Sequence, residues 1–248
     1  MKKINSIFIH ALLLLFTSIA ASTIHADDAI HQPFTEVLQE SVVDGEVDYK
    51  TIKNNPKFTS YLKTLEAEPT FGSKEDELAF WINAYNAFAI KGIIDGKSPR
   101  TLFGRLKYFK KTKYIIGGKE ISLYDLEHKV IVPLGEPRIH FSIVCASGSC
   151  PKLQTKAFTA AALESDFERV ASEFLNDTYR NNFDKNAKVA NLSKIFDWFK
   201  DDFIKHSGSV QKYVAQYIDD PEVAAALKQD SYKIKHLKYD WSLNGTAP

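Results

Sequence analysis

Arg138-Ile-His-Phe-Ser-Ile-Val-Cys-Ala-Ser-Gly-Ser-Cys-Pro151 holds both cysteines of the 248-residue chain and one of its seven histidines. From Ile139 to Val144 the apolar run reads as a buried strand. From Ala146 to Cys150 small and polar residues read as a tight loop. A core strand that delivers such a loop, in a chain otherwise patterned for helices, predicts a helix-rich α+β domain with a small, mainly antiparallel sheet.

Successive side chains of a strand point to opposite faces, so Arg138, His140 and Ser142 share one face and Ile139, Phe141 and Ile143 the other. A strand regular as far as Cys145 turns that thiol away from His140, whereas Cys150 has no such restriction. Cys150 precedes Pro151, and Pro favours the first position of a helix. A helical turn starting there puts the Cys150 thiol at the positive end of the backbone dipole, which lowers a thiol pKa and favours the nucleophilic thiolate.

Working outward, Lys2 and Lys3 precede an apolar run from Ile7 to Ala21, the length of a signal h-region and short for a membrane span. Residues 1–26 are expected to be a secretory signal peptide, cleaved after Ala26 or after Ser22. The expected location is outside the cytoplasm, periplasmic or extracellular, with no transmembrane segment after cleavage. Residues 27–248 are expected to form a single globular domain. Removal of Lys2 and Lys3 leaves 30 basic and 31 acidic residues, a net charge of −1. That balance argues against general nucleic-acid binding, which normally needs a basic excess. In an oxidising compartment two nearby cysteines can also pair, although closing so short a loop stabilises a fold by only about 2 kcal/mol.

Ser73 and Asp76 form a capping-box-like start to a helix that is apolar on almost every face between Leu78 and Ile90, and so is expected at the centre of the core. Its exceptions, Asn83 and Asn86, lie three apart on one face. Unpartnered, each would cost about 1–3 kcal/mol, so each must meet polar groups: a catalytic imidazole to orient, or core backbone to tie down. Arg100 to Lys113, rich in basic residues, reads as a lysine-protected edge strand or an attraction for an anionic ligand. Tyr114 to Ile121 reads as a hairpin turning at Gly117-Gly118. Ser122 and Asp125 start a second helix, on which Glu127 shares a face with Leu123 and Ile131 and is the inward group; adjacent His128 is turned about 100° away. Later helices are expected over Phe158 to Asn176, Ile195 to Phe203, Val210 to Tyr217 and from Pro221 onward, and a strand after Tyr232.

Together Phe80-Trp-Ile-Asn-Ala-Tyr-Asn-Ala87, the helix bearing Glu127, Arg138 to Pro151, Ile195-Phe-Asp-Trp-Phe199 with Asp202-Phe203, and Tyr239-Asp-Trp-Ser-Leu-Asn244 resemble the domain-of-unknown-function 547 family. The resemblance runs from about residue 70 to 248. It implies a domain common in exported bacterial proteins and found in plant proteins behind a coiled coil, but no established reaction. The family pattern covers Asn83, Asn86, Glu127, His140, Cys145 and Cys150.

Three functions follow from these residues. In the first, a hydrolase or acyltransferase acts on peptide or amide bonds, with Cys150 or Cys145 as nucleophile, His140 as its base, and Glu127, Asn83 or Asn86 orienting the imidazole. The second is a non-catalytic binding or scaffolding domain with a structural Cys145–Cys150 disulfide. The third is thiol–disulfide exchange, although four residues separate the cysteines where the familiar redox motif has two. The partner is an unidentified small molecule or peptide. No cofactor is expected, and the spacing of His128, His140, Cys145 and Cys150 matches no standard zinc pattern.

Overall fold

A computed structural model describes residues 28–248 and the backbone of Thr23–His25. The rest of the expected signal segment lies outside the described residues.

The helix Lys74–Ile94 runs through the centre of the core. The Ser73 hydroxyl accepts from the Asp76 amide at 3.0 Å, satisfying one of the orphan donors of the first turn. From Leu78 to Ile93 nearly every side chain is buried, as an all-round apolar helix requires. Gln32–Ser41 and Pro56–Leu65 cover one side of it, with Phe34 stacked on Tyr61 at 4.9 Å. The remaining helices are Leu163–Asn176 and the short Ile195–Trp198, Lys200–Ser207, Val210–Val214 and Pro221–Lys228.

The fold is α+β, and among the described residues the strands are divided among four small sheets rather than gathered in one. Three of the six strand pairings among these residues are parallel, because strands distant in sequence meet: Thr23–His25 with Glu68–Thr70, Glu46–Asp48 with Gly245–Thr246, and Val189–Leu192 with Lys233–His236. The hairpin forms as expected, Lys113–Ile116 against Lys119–Ser122, with Gly117 and Gly118 both at positive φ as its two-residue turn demands.

Two expectations are overturned. Ile139 to Val144 is not a strand: Pro137–Phe141 is a 3-10 helix, which Glu136 caps by accepting from the Arg138 amide at 3.0 Å. Among the described residues no strand pairs with it. The Asn86 amide does a neighbour's work instead, donating to the Ser142 carbonyl (2.9 Å) and accepting from the Val144 N–H (2.8 Å). Arg138 anchors the turn, its guanidinium bonded to Glu136, Glu164 and Glu168. Likewise Arg100 to Lys113 holds no edge strand over most of its length. Leu102–Arg105 is α-helical and Leu106–Lys111 continues as a π-turn, for which Tyr108 supplies the anchor, buried and donating to the Ala89 carbonyl at 2.8 Å.

Candidate functional site

A cavity of about 420 Å³ opens beside the central helix. Its walls come from six separate stretches: Tyr85 on the central helix; the π-turn carrying Leu106, Phe109 and Lys110; a second π-turn, Glu127–Ile131; His140 to Pro151; residues 195–199; and Tyr239 with Trp241. A π-turn widens the helix by one residue per turn and re-aims the side chains on it. Here two such turns face one cavity.

The lining is mainly aromatic. Tyr239 packs between Trp198 (4.8 Å) and Trp241 (4.6 Å). Arg105 lies 4.6 Å over the Trp241 ring and Lys110 lies 4.0 Å over Tyr124, so two cations sit on the rim with their charge against π-faces.

Glu127 faces this cavity from the second π-turn, as its helical face predicts. Burial pushes its carboxyl up to about 8, against the opposing effect of a hydrogen bond donated by the Tyr85 hydroxyl. At neutral pH the group is therefore mostly a neutral acid, able to donate. His140 is turned the other way: Nε2 is 2.9 Å from Asp202 Oδ2, and the ring stacks on Phe199 at 4.0 Å. Its side chain is 1% exposed. Desolvation lowers the imidazole pKa, with Asp202 opposing, so the ring is neutral near pH 7 with its proton on Nε2. Nδ1 is left buried with no hydrogen-bond partner among the described residues. His128 donates from Nδ1 to the Tyr124 carbonyl (3.1 Å) and stacks on that ring at the cavity edge.

Cys145 and Cys150 are joined in a disulfide that forms part of the cavity wall. Cys150 is buried and Cys145 partly exposed. The Ser147 hydroxyl lies 3.1 Å from Cys145 Sγ and 3.3 Å from Cys150 Sγ, and the Tyr239 hydroxyl 3.4 and 3.3 Å from the same atoms. The Cys145 amide points at Cys150 Sγ from 3.0 Å. The loop is also held without the bridge. Gly148 and Ser149 donate backbone N–H groups to the Ser242 and Asp240 carbonyls, and Arg180 donates to the carbonyls of Cys150 (2.7 Å) and Gly148 (3.2 Å). A Cβ at Gly148 would lie 2.9 Å from Asp240 Oδ2, so a side chain there would displace the Asp240 carboxylate. From Pro151 to Thr159 the chain forms no helix, so the expected helical dipole at Cys150 is absent.

The structure thus brings Glu127, His140, Cys145 and Cys150 to one cavity. Asn83 and Asn86 are elsewhere, committed to core backbone: Asn83 exchanges two hydrogen bonds with Phe158, at 2.7 and 2.9 Å, and Asn86 braces residues 142–144. The group that orients His140 is Asp202, and the hydroxyl-bearing residues that line the cavity are Tyr85, Tyr124 and Tyr239, with Ser147 buried behind the disulfide. Nothing local distinguishes Asp202 from its neighbour Asp201, since both sit in a first helical turn where acids are common. Tyr85 is legible as a polar-tipped ring in an all-apolar helix beside Asn83 and Asn86, whereas Asp202 and Tyr239 stand only in the motifs that carry the family resemblance. Among the described residues no cluster of His, Cys, Asp and Glu could hold a metal ion, and no helix is long and apolar enough to cross a membrane.

Residues 69–175 match a family model described as protein of unknown function, DUF547. The match includes Tyr85, Glu127, His140 and both cysteines and ends before Asp202 and Tyr239. Comparisons with curated proteins and with solved structures give no match.

Proposed function

Because the chain carries a DUF547 domain over residues 69–175, whose description names no reaction, we propose a function from the cavity alone: it binds a small organic molecule with a ring-bearing, apolar body and a carboxamide or carboxyl end. The observation that carries this is the pairing of an aromatic lining with the neutral carboxyl of Glu127, a donor to the carbonyl of an amide or carboxyl group. Arg105 and Lys110 at the rim favour an anionic substituent.

The test is titration of the protein with a panel of aromatic amides and carboxylic acids, followed by the fluorescence of Trp198 and Trp241 and by calorimetry. Ile143→Trp fills the cavity from its wall and should abolish binding while the protein stays folded by circular dichroism. Equal binding by that variant would place the ligand elsewhere and end the proposal.

Thiol-dependent acyl transfer is a second reading, supported by the unbonded imidazole nitrogen and by two sulfurs on the same cavity. It requires reduction of the bridge first. Amide hydrolysis that appears only after reduction, and disappears in Cys145→Ser or Cys150→Ser, is its signature. Reduced protein inert on the amides it binds would rule it out.

A further inference from the structure

The bridge in the cavity wall is surrounded by more hydrogen-bond donors than a structural disulfide needs. A disulfide sulfur is a weak acceptor and needs no donor to be stable when buried. A thiolate needs several, as any buried charge does. Cys150 Sγ has three within reach: the Cys145 N–H at 3.0 Å and the hydroxyls of Ser147 and Tyr239, each at 3.3 Å. Cys145 is the more exposed residue of the two, and its Sγ shares only the two hydroxyls.

The loop is, moreover, independently clamped by Arg180 and by backbone bonds to residues 240 and 242. Opening the bridge therefore leaves the loop in place and its two sulfurs near each other.

We infer that the Cys145–Cys150 bridge is exchange-active: a dithiol entering the cavity attacks Cys145 Sγ, and Cys150 leaves as a thiolate held by the Cys145 amide, Ser147 and Tyr239. This goes beyond the ligand-binding reading and does not rest on it. The attacking thiolate forms a mixed disulfide with Cys145, the Cys145–Cys150 bond breaks, and its electron pair goes to Cys150 Sγ. The second thiolate of the same dithiol then attacks its own sulfur in the mixed disulfide and expels Cys145 as a thiolate, which takes up a proton. The dithiol departs as a disulfide, and the domain gains two electrons. The reverse sequence oxidises a dithiol. Tyr239 is suited to its part because burial raises its pKa, so the hydroxyl keeps its proton to donate.

The experiment uses dithiothreitol as the dithiol and glutathione disulfide as the trapping reagent for a free thiol, with alkylation and intact mass as the readout and thiolate absorbance as a second one. Native protein should be reduced at neutral pH without unfolding. Cys150→Ser should capture glutathione on Cys145 readily, whereas Cys145→Ser should leave Cys150 poorly reactive toward glutathione disulfide. Tyr239→Phe should raise the Cys150 thiolate pKa and slow reduction about tenfold, as loss of one hydrogen bond to a charged group implies; Ser147→Ala should act in the same direction. A bridge that resists excess dithiothreitol in the folded protein would overturn the inference, and so would an unchanged thiolate pKa in a folded Tyr239→Phe. A ligand-binding cavity with an inert bridge would remove this inference and leave the proposed function standing.

Discussion

Asp202 Oδ2 accepts the Nε2 proton of His140 at 2.9 Å, across 62 residues of sequence, and so decides that the buried Nδ1 is the imidazole nitrogen left without a proton or a partner among the described residues. A neutral ring with a carboxylate on one nitrogen is locked in one tautomer, the condition for using the other nitrogen as an acceptor or base.

Asp202→Asn tests that lock. It removes the charge that opposes desolvation, so the His140 pKa should fall below its already lowered value and the Nδ1–H tautomer should gain. Long-range proton–nitrogen spectra separate the tautomers. An unchanged tautomer and titration would mean that packing against Phe199, not Asp202, fixes the ring.

Glu127 makes stability depend on pH in a defined direction. Its pKa is about 8 in the folded protein against an ordinary 4.5, so between these values the folded state holds more proton than the unfolded one. Its contribution is fully present below pH 4.5 and is lost as pH rises towards 8. Glu127→Gln should be more stable relative to wild type at pH 9 than at pH 4, by about 3 kcal/mol after allowing for the cavity's partial hydration. Denaturant unfolding at the two pH values measures it, and parallel curves would contradict the assignment.

His140 acts oppositely. Its lowered pKa means that the unfolded chain takes up a proton first as pH falls below 6.5, so stability declines there until the folded ring also protonates. Phe199→Ala admits water to the ring and should move its pKa back toward 6.5, read by carbon-detected histidine titration.

Tyr85→Phe isolates one hydrogen bond. The hydroxyl donates to the Glu127 carboxylate and lowers its pKa, so removing it should push the carboxyl further above 8, seen as a shift in the carboxyl infrared band across a pH series. A lower pKa in the variant would reverse the reading of this pair.

Asn83→Ala and Asn86→Ala should each cost about 2–4 kcal/mol of stability, because each leaves a buried donor and a buried acceptor unpaired. Neither should alter the His140 titration directly. A folded Asn83→Ala with a displaced His140 pKa would show that the amide reaches the cavity after all.

How much of this is legible in the sequence depends on where each backbone group finds its partner. The Ser73 and Ser122 caps, the Gly117-Gly118 turn and the buried central helix follow local rules and form where local rules put them. Glu127 follows as well, since a helical face suffices to aim it. Ile139 to Val144 misleads because its apolar pattern suits a strand while its partners are a side chain, Asn86, and an ion-pair cluster at Arg138. The helix expected over Ile195 to Phe203 breaks at Phe199, whose backbone leaves the helical region and whose ring lies against His140. Asp202, Ser147 and Tyr239 owe their positions to contacts 62 to 92 residues apart, which no window on the sequence contains.

The clamp of residues 240 and 242 on the Gly148–Ser149 backbone also sets an order on synthesis. About ninety residues must emerge from the ribosome after Cys150 before Tyr239 can reach the sulfurs. A bridge closed earlier than that closes without the Tyr239 hydroxyl and without the backbone clamp of residues 240 and 242. The cavity is thus a late product of translation, with one wall waiting on a segment made long after the rest.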